Sequence, residues 1–218
     1  KNDSSTIFSP NWAGASIDPP PIGQTFNYVI GQFTLPTPSC PPGSSGDSCG
    51  ASVWVGIDGD KPTRPLLQAG ISLEVSNTGI VSYQAWSEWV PNFEFFDNFS
   101  MSAGDEISIS VKAVTPSEGI VTVTNISTGQ SVSRTLDAPD STQTLIGQSA
   151  EWIVEDYGLS GSLVPFANFG TVIFTNCAAS TESETHNLDN AFIWELDQAG
   201  QALTNVVIAS PTEFSIQY

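Results

Sequence analysis

Apolar residues in this chain recur at every second position, in short runs cut by glycine, proline, asparagine and aspartate, and this spacing constrains the fold more than any other feature. Successive side chains of a strand point to opposite faces, whereas a helix needs an apolar period near 3.6. From Leu66 to Val75, Leu67, Ala69, Ile71, Leu73 and Val75 share one face, and Gln68, Ser72 and Glu74 the other. From Glu106 to Val114 the apolar set is Ile107, Ile109, Val111 and Ala113. Ile120–Thr124 then leads through Ser127–Gln130 into Ser131–Leu136, which reads as a meander of hairpins. Helical patterns are scarce, no internal repeat is found, and no linker is long enough to separate domains. The expectation is an all-β chain, an antiparallel β-sandwich of two sheets, with residues 1–218 forming a single domain.

The same parity singles out residues that a core does not need. On Ala51–Asp58, Val53, Val55 and Ile57 suit a core, which leaves Ser52, Trp54 and Asp58 opposite. On Ile80–Val90, Val81, Tyr83, Ala85 and Trp89 oppose Gln84, Trp86 and Glu88. On Ala150–Asp156, Trp152 and Val154 oppose Glu151, Ile153 and Glu155. Four strands therefore each offer a second face that carries carboxylates or carboxamides, three of them with a tryptophan on one side or the other. A solvated outer face rarely carries large aromatics, whereas a concave binding face often does.

Charge removes whole classes of partner. The 23 acidic residues against 5 cations give a net charge of −18, and Lys1, Lys61, Arg64, Lys112 and Arg134 are too scattered to form a patch. Nucleic acid and anionic membrane surfaces are excluded as partners on that ground. With 39% hydrophobic residues the chain can nonetheless bury a core. No run of about 18 apolar residues marks a membrane span, and the N-terminus has no signal-peptide pattern, so a soluble, mature chain is expected; a monomer is expected too, and low lysine content points to secretion. The sequons at Asn2, Asn98 and Asn125 agree with secretion. Cys40 and Cys49 bracket a Pro/Gly/Ser-rich stretch that a disulfide would close, leaving Cys177 as a buried apolar residue.

Much familiar chemistry lacks its residues. With His186 as the single histidine and no zinc-ligand cysteine spacing, neither metal nor cofactor is expected. Asp58-Gly59-Asp60 resembles the start of a calcium loop, but the position of its closing glutamate is Ala69. Gly46-Asp47-Ser48-Cys49-Gly50 fits a Gly-x-Ser-x-Gly pattern but ends a Pro/Gly loop rather than joining a strand to a helix. What remains is carboxylate and carboxamide chemistry on a tryptophan-lined face. That supports glycoside hydrolysis by two carboxyls, or peptide hydrolysis with one carboxylate activating water and a neutral donor holding the oxyanion.

Four segments in order, Trp54-Val55-Gly56-Ile57-Asp58-Gly59, Leu66-Leu67-Gln68-Ala69-Gly70, Ala85-Trp86-Ser87-Glu88-Trp89 and Ala150-Glu151-Trp152-Ile153-Val154-Glu155-Asp156, together resemble the glutamic peptidases of filamentous fungi, the eqolisins. Asn11-Trp12-Ala13-Gly14, Val164-Pro165-Phe166-Ala167 and Phe174-Thr175-Asn176-Cys177 extend the resemblance over nearly the whole chain. It implies a lectin-like jelly-roll sandwich, secreted as a proenzyme and acting on polypeptides in acid, with Gln68 and Glu155 as the catalytic pair. Trp12, Trp54, Asp58 and Glu88 would line the cleft or orient that pair. Glu151 shares the face of Glu155, so parity does not separate them and only the motif favours Glu155. The alternatives are a sandwich glycosidase using Glu88 and Glu155 with Trp54 and Trp86 as sugar platforms, or a lectin-like module without activity. The charge further predicts a fold that holds in acid and weakens toward neutral pH.

Overall fold

A computed structural model describes residues 5–44, 48–61 and 63–218. The Asn2 sequon and the Gly46-Asp47 part of the Gly-x-Ser-x-Gly pattern lie outside the described residues. Among those described there is no helix. The strands are β1 (Thr6–Ser9), β2 (Trp12–Ile17), β3 (Tyr28–Thr34), β4 (Ser48–Ile57), β5 (Leu67–Ser76), β6 (Val81–Trp89) and β7 (Asn92–Phe95). β8 (Glu106–Thr115), β9 (Glu118–Asn125), β10 (Gln130–Asp137), β11 (Ala150–Glu155), β12 (Gly158–Leu159) and β13 (Ser162–Leu163) follow. β14 (Thr171–Ser180), β15 (Thr185–His186), β16 (Phe192–Gln198), β17 (Gln201–Ala202), β18 (Asn205–Ser210) and β19 (Glu213–Gln217) complete the order.

Two large sheets result. The first runs β1-β16-β2-β11-β4-β5-β6-β7 with β17 beside β16, and the second runs β10-β9-β8-β3-β14-β19-β18 with β15 beside β14. Among the described strands pairing is antiparallel as expected, except that β1 runs parallel to β16. The alternating residues meet between the sheets. Val53, Val55, Ile57, Leu67, Ala69, Ile71, Trp152 and Val154 from the first sheet bury against one core with Ile107, Ile109, Val111, Val121 and Val123 of the second. Each valine, leucine or isoleucine among them contributes about 1.5–3 kcal/mol by leaving water. Cys40 and Cys49 form the disulfide, and Cys177 is a free, fully buried core residue whose thiol burial pushes up. No helix among the described residues is long and apolar enough to cross a membrane.

The two described sequons differ. Asn98 is exposed in a left-handed turn at φ 57°. Asn125 is fully buried; its amide donates to the Ser100 carbonyl and to Asp105 and accepts from the Thr128 N–H. The fold thus consumes that side chain.

The face of the first sheet turned away from the core carries a second apolar cluster of Trp54, Leu66, Trp86 and Ile153, with Trp12, Val90 and Trp194 packed against it. Gly70 makes this possible. A Cβ there would sit 2.5 Å from the Trp86 ring and 2.6 Å from Trp54 Cβ, so only glycine lets two indoles close over β5.

Candidate active site

Register sets the site's layout. On β5 and β6, Gln68 lies opposite Glu88, and on β6 and β7 Glu88 lies opposite Phe93. Directly opposed residues of antiparallel strands share a face. One row therefore reads Gln68, Glu88, Phe93, and the next reads Trp54, Gly70, Trp86, Phe95. Glu155 ends β11 opposite Trp12 on β2 and Ser52 on β4. Strand twist brings these rows around a cleft of about 560 Å³ lined by Ser52, Gln68, Ser72, Glu74, Trp86, Glu88, Phe93, Phe95, Glu155, Tyr157 and Leu159.

The Glu155 carboxyl is held by nitrogen donors. Trp54 Nε1 donates to its Oε2 at 2.7 Å and Asn11 Nδ2 to its Oε1 at 3.1 Å, and Trp12 adds a further side-chain hydrogen bond. Trp12 packs edge-on to Trp54 with ring centroids 4.9 Å apart, fixing both indoles. Burial nevertheless dominates and pushes Glu155 up to about 7; the three donors oppose it, and nearby Glu88 reinforces it. Desolvation disfavours the ionised form, and hydrogen bonds to the carboxylate favour it.

Gln68 is buried, and its Nε2 donates to Glu88 Oε2 at 2.7 Å while its Oε1 has no hydrogen-bond partner. An amide has two N–H donors and one acceptor oxygen, so this arrangement leaves one N–H and the buried carbonyl oxygen without a partner. Burial raises Glu88, and the Gln68 amide pulls it back.

The structure separates residues that parity left together. Glu151 is sealed, fully buried and close to Asp58, Asp60 and Arg64, with neither carboxyl oxygen in a short hydrogen bond; burial and the two aspartates hold it well above the usual carboxylate range. It does not line the cleft. Asp58 is also absent from the cleft, against the expectation that it faces outward on its strand. Its φ of 65° turns the chain out of β4, and its buried carboxylate accepts the N–H groups of Ile146, Gly147 and Gln148 at 2.7–2.9 Å. It pins the segment that leads into β11, so any effect on Glu155 is transmitted through that strand. Trp54 lies under the cleft rather than along it, and Trp12 flanks Glu155. Asn11 was not among the residues singled out by parity, because it precedes β2; its signal was its place beside Trp12 in the Asn-Trp-Ala-Gly motif. Phe93, Phe95 and Tyr157 were likewise missed, since a four-residue strand and a turn carry too little periodicity. Among the described residues no group of three His, Cys, Asp or Glu side chains is arranged to hold a metal ion.

The sequence model of the family described as the Peptidase A4 family matches residues 10–218. Aspergillopepsin-2 of Aspergillus niger is 38% identical over 221 residues, covering 93% of this chain and 75% of the relative. Scytalidopepsin B of Scytalidium lignicola is 33% identical over 210 residues with the same coverage. The crystal structure of scytalido-glutamic peptidase with a transition state analog inhibitor superposes with a TM-score of 0.82 at 32% identity, over 96% of this chain and 98% of that one. Aspergilloglutamic peptidase from Aspergillus niger superposes with a TM-score of 0.72 at 38% identity, over 78% and 99% of the two chains.

Proposed function

Since the chain belongs to the Peptidase A4 family of glutamic peptidases, we propose that it is a secreted, monomeric acid endopeptidase, active as a single domain, in which Glu155 and Gln68 carry the reaction. The glycosidase and lectin-like alternatives are set aside by the family. Glu155, as a carboxylate, takes a proton from a water held between it and Gln68, and this water attacks the scissile carbonyl. The remaining N–H of Gln68 donates to the oxyanion. Glu155, now neutral, returns the proton to the departing amine. Glutamine suits its role because it cannot ionise, so the donor persists in acid.

A carboxyl near 7 is scarcely ionised in acid, and the attacking water opposes that. Donating into the Glu155 carboxylate, it makes a charge-assisted bond worth about 1.5–3 kcal/mol, which lowers the pH of ionisation by about one to two pH units. The single observation that carries the reading is that one cleft holds the Glu155 carboxyl, with the Trp54 and Asn11 nitrogen donors on it, and the Gln68 amide, oriented by Glu88. Glu155→Gln and Gln68→Ala should each lower peptidase kcat by about 10³-fold or more with unchanged circular dichroism. Near-normal turnover by either folded variant refutes the assignment.

A further inference from the structure

We infer that Phe93 and Phe95, with Trp86, form the subsite that selects a bulky apolar side chain beside the scissile bond. This rests on the peptidase reading above. Half of the aromatic side chains here are buried, Phe33, Phe174 and Phe214 among them, yet Phe93 and Phe95, which line the catalytic cleft, remain 47% and 37% exposed. An apolar surface kept in water at the mouth of a site marks a place where another apolar group docks. The three rings form one wall: Trp86 and Phe93 have centroids 5.4 Å apart, and Phe93 meets Phe95 edge-on at 4.9 Å. Leu159, 62% exposed, also lines the cleft.

The wall is also held still. β7 is the last strand of its sheet and has four residues, so by itself its free edge would fray. Arg134, reaching across from β10, donates to the carbonyls of Glu94 at 3.2 Å and Phe95 at 3.0 Å and to Ser87 Oγ at 2.6 Å. Its guanidinium also lies 4.4 Å over the Phe96 ring. A fixed wall loses little entropy when substrate binds.

Position ties the wall to the cut. Phe93 stands two strands from Gln68, about 10 Å at the usual strand spacing. An extended peptide advances about 3.3 Å per residue, so a side chain one or two residues from the carbonyl held at Gln68 reaches the rings. The occupant is apolar rather than cationic, because the Arg134 guanidinium already lies behind this strand.

The test uses peptides identical except for Phe, Leu, Lys or Ala at the positions flanking the cut, with wild type and the Phe93→Ala/Phe95→Ala double variant. Wild type should favour Phe or Leu over Ala by about 30-fold in kcat/KM, and the double variant should reduce that ratio to about 3-fold. Each single variant, and Phe93→Leu/Phe95→Leu with its apolar wall retained, should lie between these ratios, which gives a reading should the double variant melt early. A preference for Lys, or a Phe-to-Ala ratio unmoved in a folded double variant, overturns the inference. Failure of wild type to cleave any of the peptides overturns the peptidase reading with it, whereas cleavage without preference overturns the subsite alone.

Discussion

Trp54→Phe should move the acid limb of activity without removing activity. The indole N–H of Trp54 donates to Glu155 Oε2 at 2.7 Å, and phenylalanine keeps most of the packing while deleting that donor. A hydrogen bond to a charged group contributes about 1.5–3 kcal/mol, and 1.36 kcal/mol corresponds to one pH unit of ionisation. The donor favours the carboxylate, so its loss raises the pH at which Glu155 ionises by about one to two units. Well below that pH the base form falls in proportion, so kcat/KM should drop about 10- to 100-fold on the acid limb and recover toward wild type at higher pH. The Asn11 and Trp12 donors remain, which is why the limb moves and does not vanish. The assay is kcat/KM on a fluorogenic peptide from pH 2.5 to 8, with a melting curve at each pH. Loss of packing alone would scale the whole profile without moving its midpoint. A folded Trp54→Phe enzyme whose acid midpoint coincides with wild type refutes the claim that this donor tunes the general base.

Stability should fall between pH 4 and pH 7.5: Glu155 at about 7, Asp156 at about 6 and Glu151 well above 4.5 are all raised by burial, so the folded chain keeps protons that the unfolded chain has lost. Glu155 by itself removes at most about 3 kcal/mol by pH 7, less whatever a water bonded to its carboxylate restores, and a melting temperature higher at pH 7.5 than at pH 4 in low salt contradicts this. Glu151→Gln should narrow the gap between the two melting temperatures while sparing more activity than Glu155→Gln, because Glu151 lies outside the cleft; an unchanged gap would show that this carboxyl is not a source of neutral-pH weakness. With Gln68 and Glu155 as the machinery, activity should survive pepstatin-type inhibitors, chelators, fluorophosphonates and thiol alkylators, the last because Cys177 is buried; inhibition at ordinary doses by any of them would point to the mechanism it targets.

Parity along each strand determined much of this protein from sequence alone. Which side chains enter the core follows from the covalent alternation of a strand, a local property, so Leu67 to Val75 could be assigned to the core and Gln68 to the opposite face without any partner strand. The cysteine spacing around a Pro/Gly/Ser loop similarly marked the Cys40–Cys49 closure. Parity is blind to what covers a face, and that is where tertiary structure decided. Glu151 and Glu155 are four residues apart on one strand face, yet one is sealed beside Asp58 and the other opens into the cleft. Asp58 left the predicted face because a single left-handed residue ends the alternation. Asn11 reaches Glu155 across 144 positions of sequence, and the Phe93–Phe95 wall takes its place from pairing with β6 and from Arg134 on the other sheet. Alternation is written into each residue's own backbone, whereas solvent access and hydrogen-bond partners belong to groups brought together only when the two sheets twist and pack, so the sequence set the faces and the fold chose the site.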